Sequence, residues 1–114
     1  MIIDSHVHFW KFDPVRDAWI TEDMNVIRQD FLPKDLYLHL NENQVEGCIA
    51  VQADQSDEET SLLLNLAKEN TFIKGVVGWI DLTSEKLEES LKNYQSENLI
   101  KGFRHIAEGE KIEF

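Results

Sequence analysis

One cysteine, two prolines and no long apolar run set the first limits on this 114-residue chain. A single cysteine rules out an intrachain disulfide framework and fits a reducing compartment. Cys48 lies in the apolar run Gly47-Cys48-Ile49-Ala50-Val51, where a small buried hydrophobe is expected. No apolar stretch approaches the roughly 20 residues that span a bilayer, and no basic-then-apolar leader opens the sequence. Cytoplasmic residence is the resulting expectation. Basic residues are scarce too, with 11 Lys and Arg against 22 Asp and Glu and a formal net charge of -11. That balance argues against nucleic acid and anionic membrane as partners and leaves a small molecule as the expected ligand.

What is present is concentrated at the start. An apolar opening, Met1-Ile2-Ile3, runs directly into Asp4, His6 and His8. Side chains alternate along a strand, so Asp4, His6 and His8 share one face while Ile3, Ser5 and Val7 take the other. Two imidazoles therefore converge at the carboxyl end of the strand. Such a pair suits one divalent, zinc-like ion, and it equally suits a metal-free acid/base pair. Two histidines alone are an incomplete zinc site, because catalytic zinc takes three protein ligands.

Residues 11–31 have weak periodicity and scattered charges, a connection long enough to serve as a lid or binding loop. Trp10, Phe12 and Trp19 are candidates to line a substrate pocket there. Pro33 suits a first helical turn, and Leu36, Tyr37 and Leu40 recur at helical spacing, which predicts a helix over 33–43 with Gly47 just past its end. His39 on that helix reads as a solvated or structural histidine. The second strand, 47–52, is nearly continuous in apolar residues, as a parallel strand buried on both faces should be. Its alternation assigns Ile49 and Val51 to a helical layer and the smaller Cys48 and Ala50, with Gln52, to the inner face. Gln52 is thus a candidate to orient a substrate oxygen.

Ser56 and Glu59 have the spacing of a capping box, and Leu62, Leu63, Leu66 and Ala67 supply the buried stripe of the helix that follows. A third strand spans 72–81, with Val77, Trp79 and Asp81 on one face. Trp79 joins the substrate-wall candidates, and Asp81 is read as a capping or turn residue with a site carboxylate as the alternative. Ser84 reads as the N-cap of a helix to about residue 95, with Leu87, Leu91 and Tyr94 as its apolar stripe. The fourth strand, 99–106, ends with Arg104 and His105, which alternation sends to opposite faces unless the strand bulges. Residues 108–114 read as a loop entering a further helix.

Four strands alternating with helical patterns, each crossover long enough for a βαβ unit, give an α/β parallel architecture. The first strand-to-helix connection has no glycine-rich phosphate loop, which disfavours a dinucleotide-binding sheet. A barrel half is preferred.

The Asp4-x-His6-x-His8 opening resembles the amidohydrolase superfamily of (β/α)8 barrels, with PHP phosphoesterases and TatD-type nucleases opening similarly. Val45-Glu46-Gly47-Cys48-Ile49-Ala50-Val51-Gln52-Ala53, Val77-Gly78-Trp79-Ile80-Asp81-Leu82 and Lys101-Gly102-Phe103-Arg104-His105-Ile106 are similar to successive strands of its amidohydrolase-2 branch, the sugar-lactone and dicarboxylate-lactone hydrolases. Val51-Gln52-Ala53 and Gly102-Phe103-Arg104-His105 disfavour the PHP and TatD readings, with a PHP-like metallophosphoesterase kept as the lesser alternative. The resemblance implies the amino-terminal half of a TIM-like (β/α)8 barrel, about four βα units, with residues 1–114 forming a single partial domain, since a whole barrel takes roughly 250 residues. It further implies that His6 and His8 belong to the active site, as catalytic groups or as ligands of one divalent metal. Arg104 is implied to bind a lactone carbonyl or carboxylate, with His105 beside it. Both metal-dependent and metal-independent catalysis occur in that branch. A half-barrel standing alone is expected to be inactive, and its open strand edges invite homo-oligomers.

Overall fold

The computed structural model describes residues 1–107. The expected loop at 108–114 lies outside the described residues. Four parallel strands, β1 (Ile3–Val7), β2 (Gly47–Val51), β3 (Ile73–Trp79) and β4 (Ile100–Arg104), lie side by side in sequence order. Three α-helices connect them: α1 (Pro33–Glu42), α2 (Asp57–Glu69) and α3 (Leu87–Asn93). Parallel crossovers are right-handed, so strands that step steadily in one direction place every helix on the same face. A doubly wound sheet would instead reverse direction and cover both faces. The steady order is that of half an eight-stranded barrel, and the 20 Å thickness of the slab, 45 × 39 × 20 Å overall, is that of one sheet and one helical layer.

The core lies between these layers. Phe9, Cys48, Ala50, Ile73 and Val76 from the strand side meet Leu63, Leu64 and Ala67 of α2, and Leu36 and Tyr94 close the cluster from α1 and α3. Cys48 and Ala50 therefore pack with the α2 leucines, the reverse of the face that alternation assigned them. A helix lying close on a sheet needs small residues beneath it, and here β2 supplies them.

Gly78 shows how close α2 comes. A Cβ at this position would sit 2.7 Å from the Thr60 methyl and 3.0 Å from its hydroxyl. Thr60 Oγ1 in turn accepts from the backbone N–H of Trp79 and donates to its carbonyl, both at 2.9 Å. One threonine thus replaces a pair of ladder bonds and ties α2 to the end of β3.

α1 ends close to the expected residue 43, and the chain leaves it through Gln44, which adopts a left-handed φ of 58° while Val45 N–H bonds back to the Leu40 carbonyl at 2.9 Å. Gly47 begins β2, as the apolar run predicts. The start of α3 differs from expectation. α3 starts at Leu87, because the Ser84 hydroxyl accepts from the Lys86 N–H at 3.1 Å in a tight turn instead of capping a helix at that point. Leu91, assigned to its apolar stripe, is exposed, and Tyr94 packs on Phe103 with ring centres 5.3 Å apart.

Cys48 is fully buried, and that burial, with the nearby Asp4 carboxylate, pushes its thiol up to about 11. At pH 8 the native protein is therefore expected to resist thiol alkylation that proceeds readily once guanidinium unfolds it. Prompt alkylation in native buffer would show that the β1–β2 core opens.

Candidate functional site

The carboxyl ends of the strands carry the chemistry. β1 delivers His6 and His8 with their rings edge to face, centres 4.9 Å apart, and their Nε2 atoms 3.1 Å apart. His8 Nδ1 lies 3.0 Å from the Val51 carbonyl, which can only accept, so Nδ1 carries the proton. The Nε2 of neutral His8 is then a lone-pair site that receives the Nε2–H of His6. Burial is the main influence lowering the His8 pKa, and the positive charges of Arg104 and His6 act in the same direction against the Val51 hydrogen bond. Neutral imidazole is the form that accepts a proton or ligates a metal.

Two nitrogen ligands on a tetrahedral zinc lie about 3.4 Å apart at ordinary Zn–N distances. The observed 3.1 Å separation and the His8 tautomer both fit that role. Among the described residues, however, no group of three His, Cys, Asp or Glu side chains converges on a point. The described residues therefore bring two imidazoles, and no third candidate ligand, to this point.

Arg104 closes the opposite side. Its Nε donates to the Gln52 side-chain oxygen and its Nη2 to the Gln52 carbonyl at 2.9 Å. Gln52 also donates through Nε2 to the Asp54 carbonyl at 3.1 Å. Gln52 is fully buried with both ends of its amide engaged, and it braces Arg104 without itself lining the cavity.

A cavity of about 220 Å³ lies between these groups, lined by His8, Trp10, Trp19 and Arg104 together with Arg16, Asp17, Asp54 and Glu59. Trp10 is fixed at the base of the 11–31 loop, where it exchanges backbone hydrogen bonds with Phe31 at 2.9 and 2.8 Å and packs its ring 4.7 Å from that of Phe31. Its indole N–H is buried without a partner among the described residues. Trp19 stands at the mouth, two-thirds exposed. Phe12 takes the Arg28 guanidinium over its ring at 5.1 Å, away from the cavity lining.

His105 does not join this constellation. Strand alternation turns it away from Arg104, and its Nδ1 accepts from the Leu82 N–H at 3.2 Å with the Asp81 carboxylate 3.9 Å away. Trp79 packs against it, ring centres 5.7 Å apart, and is likewise absent from the cavity lining. Asp81 accepts from both the N–H and the hydroxyl of Thr83, which marks it as a turn residue.

Sequence reasoning missed Arg16, Asp17 and Glu59. Arg16 grips Asp17 through Nε and Nη2 at 3.1 and 2.7 Å, and the Asp13 and Asp17 carboxylates cap the surrounding turn, a structure hidden in a segment without periodicity. Glu59 looked like half of a capping box. Ser56 Oγ does accept from the Glu59 N–H at 3.2 Å, but the carboxylate bends back to the loop after β2.

Parallel strands stepping in one direction, with a histidine pair and an arginine at their carboxyl ends, form an arrangement similar to part of an amidohydrolase barrel. The comparisons with known proteins are consistent with an amino-terminal portion of an amidohydrolase-2 family member. No protein-family profile matches the chain. It is 38% identical over 108 residues to an L-fucono-1,5-lactonase of Burkholderia multivorans and 31% identical over 102 residues to one of Burkholderia ambifaria. These alignments cover 95% and 90% of this chain but 36% and 35% of the relatives, so the chain spans just over a third of their length. Among solved structures, an amidohydrolase from Burkholderia multivorans with bound zinc superposes with a TM-score of 0.88 at 36% identity, covering 96% of this chain and 38% of that one. A crystal form of an amidohydrolase from the same organism with bound HEPES gives a TM-score of 0.87. Among the described residues no helix is long and apolar enough to cross a membrane.

Proposed function

We propose that the complete protein hydrolyses a sugar-acid lactone, and that residues 1–114 are a partial domain supplying one wall of its active site. The observation that carries this reading is one cavity lined both by His8, which pairs with His6, and by a braced Arg104. Its support is the similarity to two L-fucono-1,5-lactonases, which favours a sugar lactone over a dicarboxylate lactone.

Lactone opening needs an activated water, a stabilised tetrahedral oxyanion and a proton for the departing alkoxide. In a metal-free form, neutral His8 accepts the proton of the attacking water at Nε2, once that water displaces the His6 N–H from it, and returns the proton to the ring oxygen. Arg104 offers a fixed positive charge to the carbonyl oxygen as it becomes an oxyanion, and Trp10 and Trp19 wall the ring from bulk water. A divalent metal held by His6 and His8 would instead occupy those nitrogens, supplying Lewis acidity and a lowered pKa of bound water in place of the acid/base role. The zinc in the similar amidohydrolase structure supports a metal-dependent form, with ligands beyond this stretch completing the site. Without those elements the 114-residue stretch is inactive. The outer edges of β1 and β4, unpaired among the described residues, receive strands of the remaining barrel or, in the isolated piece, a second copy.

Hydrolysis of aldonolactones by the complete protein, followed by acid release with and without chelator, tests the reading. Turnover is expected on 1,5-lactones of six-carbon sugars, with loss on chelation. If turnover survives chelation, the acidic limb of kcat/KM should fall below pH 6.5, because the lowered His8 pKa keeps the free ring neutral past the point where an ordinary histidine protonates. Absence of turnover on every lactone would refute the assignment, and turnover that survives chelation would make the histidines a metal-free acid/base pair.

A further inference from the structure

The buried carboxylate of Glu59 belongs to the cavity wall and has no part in the proposed chemistry. Glu59 is the third residue of α2 and only 5% exposed, yet among the described residues it bonds no cation directly. Its Oε2 accepts from the backbone N–H groups of Ala53 at 2.6 Å and Asp54 at 3.0 Å. Those two bonds fix the loop leaving β2 and, with it, the direction of the Asp54 carbonyl. That carbonyl can only accept, so it draws the NH2 end of the Gln52 amide toward itself at 3.1 Å. The oxygen end is thereby turned to Arg104, whose Nε and Nη2 bind the Gln52 side chain and backbone. A flipped amide would present NH2 to the guanidinium, donor against donor, and release it.

We infer that Glu59 is a positioning residue that sets the Gln52 amide and so aims the Arg104 guanidinium into the cavity. The inference deepens the lactonase reading, since it assigns a further residue to the same site. With Nε and Nη2 tied to Gln52, Nη1 is left without a partner among the described residues, on a side chain that lines the cavity. Arg104 is a long side chain with several rotatable bonds. Held at two of its nitrogens, it enters the reaction already oriented, which is where much of the value of a fixed cation lies.

The test uses the complete protein and reads Arg104 itself. In a 15N–1H spectrum of arginine Nε–H groups, the Arg104 signal is assigned by its loss in Arg104→Lys and its exchange with solvent is timed. Glu59→Ala is expected to speed that exchange at least tenfold, whereas Glu59→Gln, which keeps an acceptor oxygen, should retain most of the protection. Glu59→Asp, which withdraws the carboxylate by one methylene, is expected to reproduce the loss and serves if the alanine variant fails to fold. In the lactonase assay Glu59→Ala should lower kcat/KM by between about 10- and 100-fold. That decrement should vanish in an Arg104→Ala background, a coupling that a merely structural carboxylate would not show. Parent-like Arg104 exchange in a folded Glu59→Ala or Glu59→Asp protein would overturn the inference. Should the parent open no lactone, the exchange measurement still decides the role of Glu59, and only the substrate assignment falls.

Discussion

Replacing Arg104 with alanine in the complete protein is expected to lower kcat for a sugar lactone by about 10²- to 10³-fold, the usual cost of losing a preorganised donor to a developing oxyanion. The guanidinium lines the cavity that His8 also lines, and its two bonds to Gln52 hold it in place before substrate arrives. Charge that appears only as the carbonyl carbon becomes tetrahedral is stabilised most by a cation already in position, so the loss should fall on kcat more than on KM. Arg104→Lys is not expected to restore turnover, because an ammonium cannot hold the Gln52 amide and carbonyl together while still facing substrate. The substitution also leaves the Gln52 oxygen buried and unpaired, a stability cost of about 1–3 kcal/mol that a melting curve measures separately. A folded Arg104→Ala enzyme with parent-like kcat would remove the arginine from the mechanism.

The second large effect is on stability. Gly78→Val would drive methyl groups into Thr60, whose side chain stands 2.7 Å from even the first added carbon. Thr60 cannot simply rotate aside, since its hydroxyl is bonded to both the N–H and the carbonyl of Trp79. Overpacking of about 1–3 kcal/mol then combines with broken, buried hydrogen bonds of similar cost, for a loss on the order of 4 kcal/mol. Denaturant unfolding of the parent and the variant measures this directly. Thr60→Ser, which removes the methyl and keeps the hydroxyl, should relieve much of the loss in the double variant. A Gly78→Val protein as stable as its parent would mean that α2 does not approach β3 at this point.

Much of this architecture was written in short-range pattern. The alternation of strand and helix follows from apolar runs separated by helical stripes, and the histidine pair follows from the alternation of β1. The capping serine of α2 was legible because Ser56 acts on its own third neighbour. Other features depend on partners distant in sequence. Glu59 reads as the reciprocal half of a cap, and only the fold brings the loop after β2 within its reach. Gln52 was legible as a residue near the carboxyl end of a strand, but its bracing of Arg104, 52 positions away, needs β2, β3 and β4 assembled. The divergence of Arg104 and His105 was readable from alternation. That His105 would settle against Trp79 and Asp81 was not, because the turn after β3 forms around Thr83 and leaves the Asp81 carboxylate facing it.

The clasp between Trp10 and Phe31 has a bearing on how such a site can diversify. Because two backbone bonds and a ring contact close the intervening segment at its base, the path of the loop above them is decoupled from β1 and α1. Lengthening a closed loop is inexpensive, about 0.6 kcal/mol for each doubling. The segment carrying Trp19 is thus an exchangeable cassette, whose length and side chains can be changed while the histidines and the arginine stay where they are.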